Sequence, residues 1–196
     1  MAATIIEIAR RRQQPGSGSR QVRPRERALG MNFRKLISIP FLIVGGQATR
    51  LYMPERSTLD WDLLIHVDDA NTARNDLERS EATGFTSLTI PGFACRLPDG
   101  TILDIIASDE GWIARALAEP TRDLDDQPVI RLPWLILMKL KSGRVQDLAD
   151  VSRMLAWADD PMLAEIRAAI GQFLPDAMED LQSLLDLGRL ERGRGH

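Results

Sequence analysis

Beyond Pro133 the chain carries only helical periodicity, whereas residues 41–132 alternate short apolar runs with helical stretches and turn signals. A chain written in that order folds as a mixed sheet followed by a group of helices, an α+β arrangement. Residues 27–38 carry Leu29, Phe33, Leu36 and Ile37 at helical spacing and stop at Pro40. A buried strand over 41–44 runs into Gly45-Gly46, and a short helix is expected over 47–52. The pattern then predicts a strand over 59–67 and a helix capped by Asp68 that reaches about 83, with Gly84 as its stop. Strands are expected over 86–90, 94–97 and 101–107, and Pro98-Asp99-Gly100 joins the last two as a hairpin. Ser108 is placed to cap a short helix to 117, a polar linker covers 119–128, and 129–132 is a brief strand. Pro133 suits a first helical turn. Gly143 breaks the helical region before 144–158, Asp159-Asp160-Pro161 restarts it, and Pro175 opens the last helix.

Composition removes several function classes. The single cysteine, Cys95, excludes a disulfide framework and a multi-cysteine zinc site. With two histidines, His66 and His196, there is little material for a histidine-rich metal centre or a serine–histidine triad. No apolar run approaches the length of about eighteen residues that spans a bilayer, so no membrane partner is expected and the chain reads as soluble and cytoplasmic. Net charge is −3, unevenly spread: residues 1–30 hold seven arginines against Glu7 and Glu26. Residues 1–28 read as a basic, flexible leader, with RNA contact as the alternative. Residues 29–132 are expected to form the α/β domain and 133–196 a C-terminal helical region.

Chemistry concentrates in the segment Val44 to Val67. Asp60 and Asp62 stand two apart in a predicted strand, so both carboxylates project from one side while Trp61 and Leu63 face the core. Two aspartates side by side on an apolar strand repel each other and cost desolvation. A cation between them relieves both terms, and hard oxygen ligands at this spacing suit Mg²⁺. Asp104 is the only polar residue in Ile102-Leu103-Asp104-Ile105-Ile106. If its strand lies beside that of Asp60 and Asp62, three carboxylates converge in an arrangement that can serve phosphoryl or nucleotidyl transfer. Gly45-Gly46 ends a strand and opens a helix, where backbone can approach a phosphate closely.

The set Gly45-Gly46, Arg56-x-Thr58-x-Asp60-x-Asp62-Leu63-Leu64 and Leu103-Asp104-Ile105 resembles the nucleotidyltransferase (DNA polymerase β-like) superfamily, and within it the minimal and AbiEii-like bacterial nucleotidyltransferases. The later stretch from Lys139 to Asp150 resembles their Lys…Arg…Asp…Asp helical segment. The resemblance covers about residues 40–155. It implies a nucleotidyltransferase-like mixed β-sheet flanked by helices, with a nucleoside triphosphate and Mg²⁺ or Mn²⁺ at its edge. It implies Asp60, Asp62 and Asp104 as metal ligands and catalytic residues, Asp104 being either a ligand or the base. Gly45, Gly46, Gln47, Arg56 and Lys139 would bind nucleotide or phosphate. Many members have Ser where this chain has Gln47, whose amide can still donate to a phosphate oxygen.

The expected activity is transfer of a nucleoside monophosphate to a hydroxyl of RNA or protein. The resemblance also implies a toxin–antitoxin or phage-defence setting with a cognate antitoxin as partner. Alternatives are a small-molecule (antibiotic-type) nucleotidyltransferase and an inactive nucleotide- or partner-binding module of the same fold. Arg144, Asp147 and Asp150 recur at three-residue steps, the spacing of an ion-pair lattice between helix and sheet. Lys139 lies in a strongly apolar helix and therefore requires a buried partner, a triphosphate or an aspartate.

Overall fold

The structure, a computed structural model, describes residues 31–53, 58, 60–123 and 125–194. The basic leader and Arg56 lie outside the described residues. Seven strands form one mixed sheet: β1 (Leu42–Val44), β2 (Trp61–His66), β3 (Thr83–Ser87), β4 (Gly92–Arg96), β5 (Ile102–Ser108), β6 (Thr121–Arg122) and β7 (Pro128–Val129). Their spatial order is β3-β4-β5-β2-β1-β7-β6. β2 runs parallel to β5 and antiparallel to β1, and β1 runs parallel to β7; the remaining neighbours are antiparallel.

The helices are α1 (Gly45–Tyr52), α2 (Ala70–Arg79), α3 (Ile113–Ala118), α4 (Leu132–Ser142), α5 (Val145–Trp157), α6 (Asp160–Phe173) and α7 (Met178–Arg194). The fold class is thus the α+β arrangement expected, a mixed sheet with a helical C-terminal region. Among the described residues, no helix is long and apolar enough to cross a membrane.

The centre of the sheet is β2, where Leu63, Leu64 and Ile65 are all buried, so both faces of this strand are covered. On β5 the alternation is cleaner: Leu103, Ile105 and Ala107 are buried and Ile102, Asp104, Ile106 and Ser108 are half-buried. On the face carrying Trp61 and Phe93, Phe33 meets the Trp61 ring edge-on at 4.9 Å, and Arg74 of α2 lies 4.6 Å from the Phe85 ring centroid. Asp76 of α2 ties this helix to the strand entry by accepting from both the N–H and the hydroxyl of Ser38, at 2.7 and 2.6 Å.

Local differences from the sequence pattern have identifiable causes. The helical spacing over 27–38 yields, in its described part, only a 3-10 turn at Phe33–Lys35, because Phe33 is drawn into the core and its N–H bonds to Gln127 at 3.1 Å. α1 begins at Gly45 rather than at 47. α2 ends at Arg79, earlier than expected, and Gly84 (φ +67°) falls inside β3, where the register shifts between Thr83 and Thr86. Asp68 does not cap α2; its own N–H bonds instead to the His66 side chain. The linker contributes the two-residue edge strand β6, which pairs with β7. Gly143 closes α4 in the left-handed conformation (φ +61°), and Asp159 caps α6 by accepting from the Met162 N–H at 2.9 Å.

Candidate active site

The parallel pairing of β2 with β5 sets Asp62 directly beside Asp104 as a Cα pair. Residues in register on neighbouring strands point to the same face, so the two carboxylates share one side of the sheet. On its other flank Asp62 is in register with Val44, the last residue of β1. The chain therefore leaves the sheet level with Asp62, and α1 starts against it. Asp60 precedes the first residue of β2 and is exposed, outside the strand in which it was expected.

Gly45 adopts φ +60°, and a Cβ there would lie 2.0 Å from Asp62 Oδ2. Only glycine meets both demands, left-handed backbone and contact with a carboxylate. A Cβ on Gly46 would lie 2.8 Å from the Thr58 side chain. Gln47 Nε2 donates to the Thr58 carbonyl at 3.5 Å. Gly45, Gly46, Gln47, Asp62 and Asp104 are thus brought to one end of one sheet face.

The electrostatics of this cluster centre on Asp62. Its carboxyl is pushed up from 3.8 to about 6, first by burial and then by the charges of Asp104 and Asp60. Arg144 and the Gly46 N–H act in the opposite direction. Arg144 is therefore part of the electrostatic environment of Asp62 although it lies in the helical region, at the N-terminal end of α5. Its Nε donates to Asp147 at 2.6 Å, and Ser142 also donates to Asp147. The left-handed turn at Gly143 closes α4 and puts Arg144 at the N-cap of α5.

Lys139 is placed in a different setting. At 5% exposure its Nζ donates to Asp147 and Asp150 at 2.8 Å each, and Gln146 donates to Asp150 at 3.1 Å. The ion-pair lattice expected of Arg144, Asp147 and Asp150 is formed around this ammonium, within the helical region. Asp147 sits well below the usual carboxylate range because hydrogen bonds from Lys139 and Ser142 and the charges of Lys139 and Arg144 outweigh its burial. Lys141 pairs with Glu110, which also accepts from the Trp112 indole at 3.0 Å.

Among the described residues, no three His, Cys, Asp or Glu side chains are gathered at metal-holding geometry. The donor set nonetheless fits a hard cation. It is made only of carboxylate oxygen, it is like-charged, and at Asp62 it is sufficiently enclosed to raise the acid's pKa. Asp62 and Asp104 are the residues that could hold such an ion, with Asp60 at the strand entry. Sequence reasoning named Arg144 in the helical segment from Lys139 to Asp150 and in an ion-pair lattice, and did not link it to the charge of Asp62.

No protein-family model matches the chain, and no curated protein sequence matches it. Among solved structures the chain is similar to the solution structure of the antibiotic-resistance factor ANT(2'')-Ia, with a TM-score of 0.43, 16% identity and coverage of 81% of this chain and 89% of that one. The crystal structure of ANT(2'')-Ia in complex with adenylyl-2''-tobramycin gives a TM-score of 0.41 and 16% identity over 74% of this chain and 86% of that one. The complex of a CCA-adding enzyme with CTP gives 0.36 and 15% identity over 76% of this chain and 43% of that one.

Proposed function

We propose that the chain is a divalent-cation-dependent nucleotidyltransferase that moves a nucleoside monophosphate from a triphosphate to an acceptor hydroxyl. The observation that carries the reading is the in-register pair Asp62 and Asp104, one face of the sheet, beside a Gly-Gly helix start. Like charges brought together at a half-buried position raise each other's cost, and a cation between them would lower it.

In this reading Asp60 and Asp62 hold Mg²⁺ or Mn²⁺, and Asp104 completes the ligand set or takes the acceptor proton. The cation, when bound, supplies charge neutralisation for the phosphate oxygens and the departing pyrophosphate. The residues of the chain then do the rest. Gly45, Gly46 and Gln47 bind the triphosphate through N–H donors, and Arg56 and Lys139 are further phosphate candidates. The acceptor oxygen forms its bond to the α-phosphorus, the bond from that phosphorus to the β-bridging oxygen breaks, and the hydroxyl proton passes to the Asp104 carboxylate. Catalysis is positioning and charge stabilisation, with no covalent enzyme intermediate.

The acceptor in this reading is RNA or protein, in a toxin–antitoxin or phage-defence setting with an antitoxin partner. The arginine-rich segment 10–27 favours RNA. Incubation with Mg²⁺, each of four α-labelled triphosphates, total RNA and cell extract tests this, with a gel to show which molecules carry label. A second reading, a nucleotide-binding module without turnover, is favoured by Gln47, whose amide is directed at the Thr58 carbonyl. It requires a triphosphate-dependent rise in melting temperature with no label on any RNA, protein or small molecule.

A further inference from the structure

Asp147 accepts hydrogen bonds on both of its carboxylate oxygens. Oδ1 accepts from Lys139 Nζ at 2.8 Å, and Oδ2 accepts from Arg144 Nε at 2.6 Å and from the Ser142 hydroxyl. Lys139 is held in turn by Asp150 at 2.8 Å, so two of its three N–H donors are committed inside the lattice. Lys139, Asp147 and Asp150 are buried, whereas the Arg144 side chain is 65% exposed. An exposed arginine is ordinarily loose, because holding a long side chain in one geometry costs entropy that a surface ion pair barely returns. Here a buried carboxylate, itself fixed from two other sides, grips the guanidinium by Nε alone. Among the described residues its two Nη groups have no hydrogen-bond partner. A planar fork held by one edge, with the rest of its donors turned to solvent, suits the oxygens of a phosphate.

Helix α4 brings this group to the carboxylate strands. It starts just after the Ile130 N–H bonds to the Ile43 carbonyl beside β1, and it packs against α1. Its end is tied by Lys141 to Glu110, two residues beyond β5. The helix thus crosses from the β7 side of the sheet to the β5 side, and Arg144 follows its end after the turn at Gly143. The strands crossed include β2, which carries Asp62, and the charge of Arg144 is felt at that carboxylate.

We infer that Arg144 binds the triphosphate of the nucleotide through its Nη groups, and that Asp147 is a positioning residue that sets the guanidinium for it. The inference rests on the nucleotidyltransferase reading given above. It adds the residue of the helical region that meets the phosphates and the buried lattice that holds it ready.

Inorganic tripolyphosphate with Mg²⁺, the part common to every nucleoside triphosphate, is the probe, titrated calorimetrically into the full chain. Arg144→Lys keeps the charge and, at an exposed position, the fold, but one ammonium cannot both hold Asp147 and span two phosphate oxygens. It should bind the probe about tenfold more weakly than wild type, the worth of one hydrogen bond between charged groups, and Arg144→Gln at least as weakly. Affinity of Arg144→Lys within about twofold of wild type would overturn the inference and reduce Arg144 to a diffuse charge.

Asp147→Asn should weaken binding in the wild-type background and change nothing in the Arg144→Gln background, because a positioning residue has no effect without the group it positions. Equal losses in the two backgrounds would make Asp147 a general support of the fold and contradict its assignment. Arg144→Lys and Arg144→Gln decide the inference by themselves should Asp147→Asn not fold. Loss of binding in Asp62→Asn and Asp104→Asn with Arg144→Lys unaffected would overturn the inference and leave the nucleotidyltransferase reading standing. A wild type that does not bind the probe would overturn both.

Discussion

Asp62 and Asp104 face the same side of the sheet as direct partners across two parallel strands, although 42 positions separate them in the chain. Nothing local puts them together. β2 and β5 become neighbours only because α2, β3 and β4 lie between them in sequence and the chain then returns to pair beside β2. The pair is a product of topology, and its consequences are measurable.

Asp62→Asn should make the cation-free protein more stable at pH 8. The folded-state pKa of Asp62 is raised to about 6, so between about pH 4 and 6 the folded protein binds more protons than the unfolded chain. The Asp62 contribution to stability therefore falls as pH rises through that window, and above it the charged carboxylate is a standing cost of about 1–2 kcal/mol after allowance for partial exposure. Urea titrations of both proteins at pH 4 and pH 8 check this. The gain should be present at pH 8 and largely absent at pH 4.

Gly45→Ala should destabilise the fold by about 1–3 kcal/mol, because the residue is left-handed and its Cβ would meet the Asp62 carboxylate. The methyl group must also push Asp62 aside. Calorimetric titration with Mg²⁺ should accordingly show weaker cation binding in any refolded Gly45→Ala protein.

Lys139→Met should cost about 3–5 kcal/mol, since it leaves Asp147 and Asp150 buried without the ammonium that both accept from. Chemical denaturation measures it. Triphosphate affinity of the protein that remains folded then separates a structural strut, with unchanged affinity, from a phosphate ligand, with a loss of about tenfold or more.

Arg144→Gln should raise the Asp62 pKa further, because the charge of Arg144 is one of the two influences holding it down. The pH midpoint of Mg²⁺ binding should move upward with it, since proton and cation compete for one carboxylate. A midpoint unchanged from wild type would place Arg144 outside the electrostatics of the site.

What could be read from the sequence and what could not divide along local and non-local lines. The hairpin through Pro98-Asp99-Gly100, the Pro133 helix start and the helix restart at Asp159-Asp160-Pro161 are written within a few residues and appear where expected. The carboxylates themselves were conspicuous because acids in apolar strands violate the local pattern. Three things depended on partners far away in sequence. The turn at Phe33–Lys35 is short because Phe33 packs against Trp61 and its N–H finds Gln127. Asp60 falls just outside β2, so that alternation along the strand no longer applies to it. Lys139 chooses between phosphate and aspartate according to how α4 and α5 fold back on each other, which spacing alone leaves open.

The most direct test of the cation-dependent transfer centre is label incorporation from an α-labelled triphosphate by wild type, Asp62→Asn and Asp104→Asn side by side, with near-UV circular dichroism to verify that all three are folded. Incorporation by wild type should require Mg²⁺ or Mn²⁺ and fall by about a thousandfold or more in either variant, the scale of losing a principal charge-stabilising group at a reaction centre. Incorporation by a folded Asp62→Asn or Asp104→Asn protein at a rate near that of wild type would contradict it.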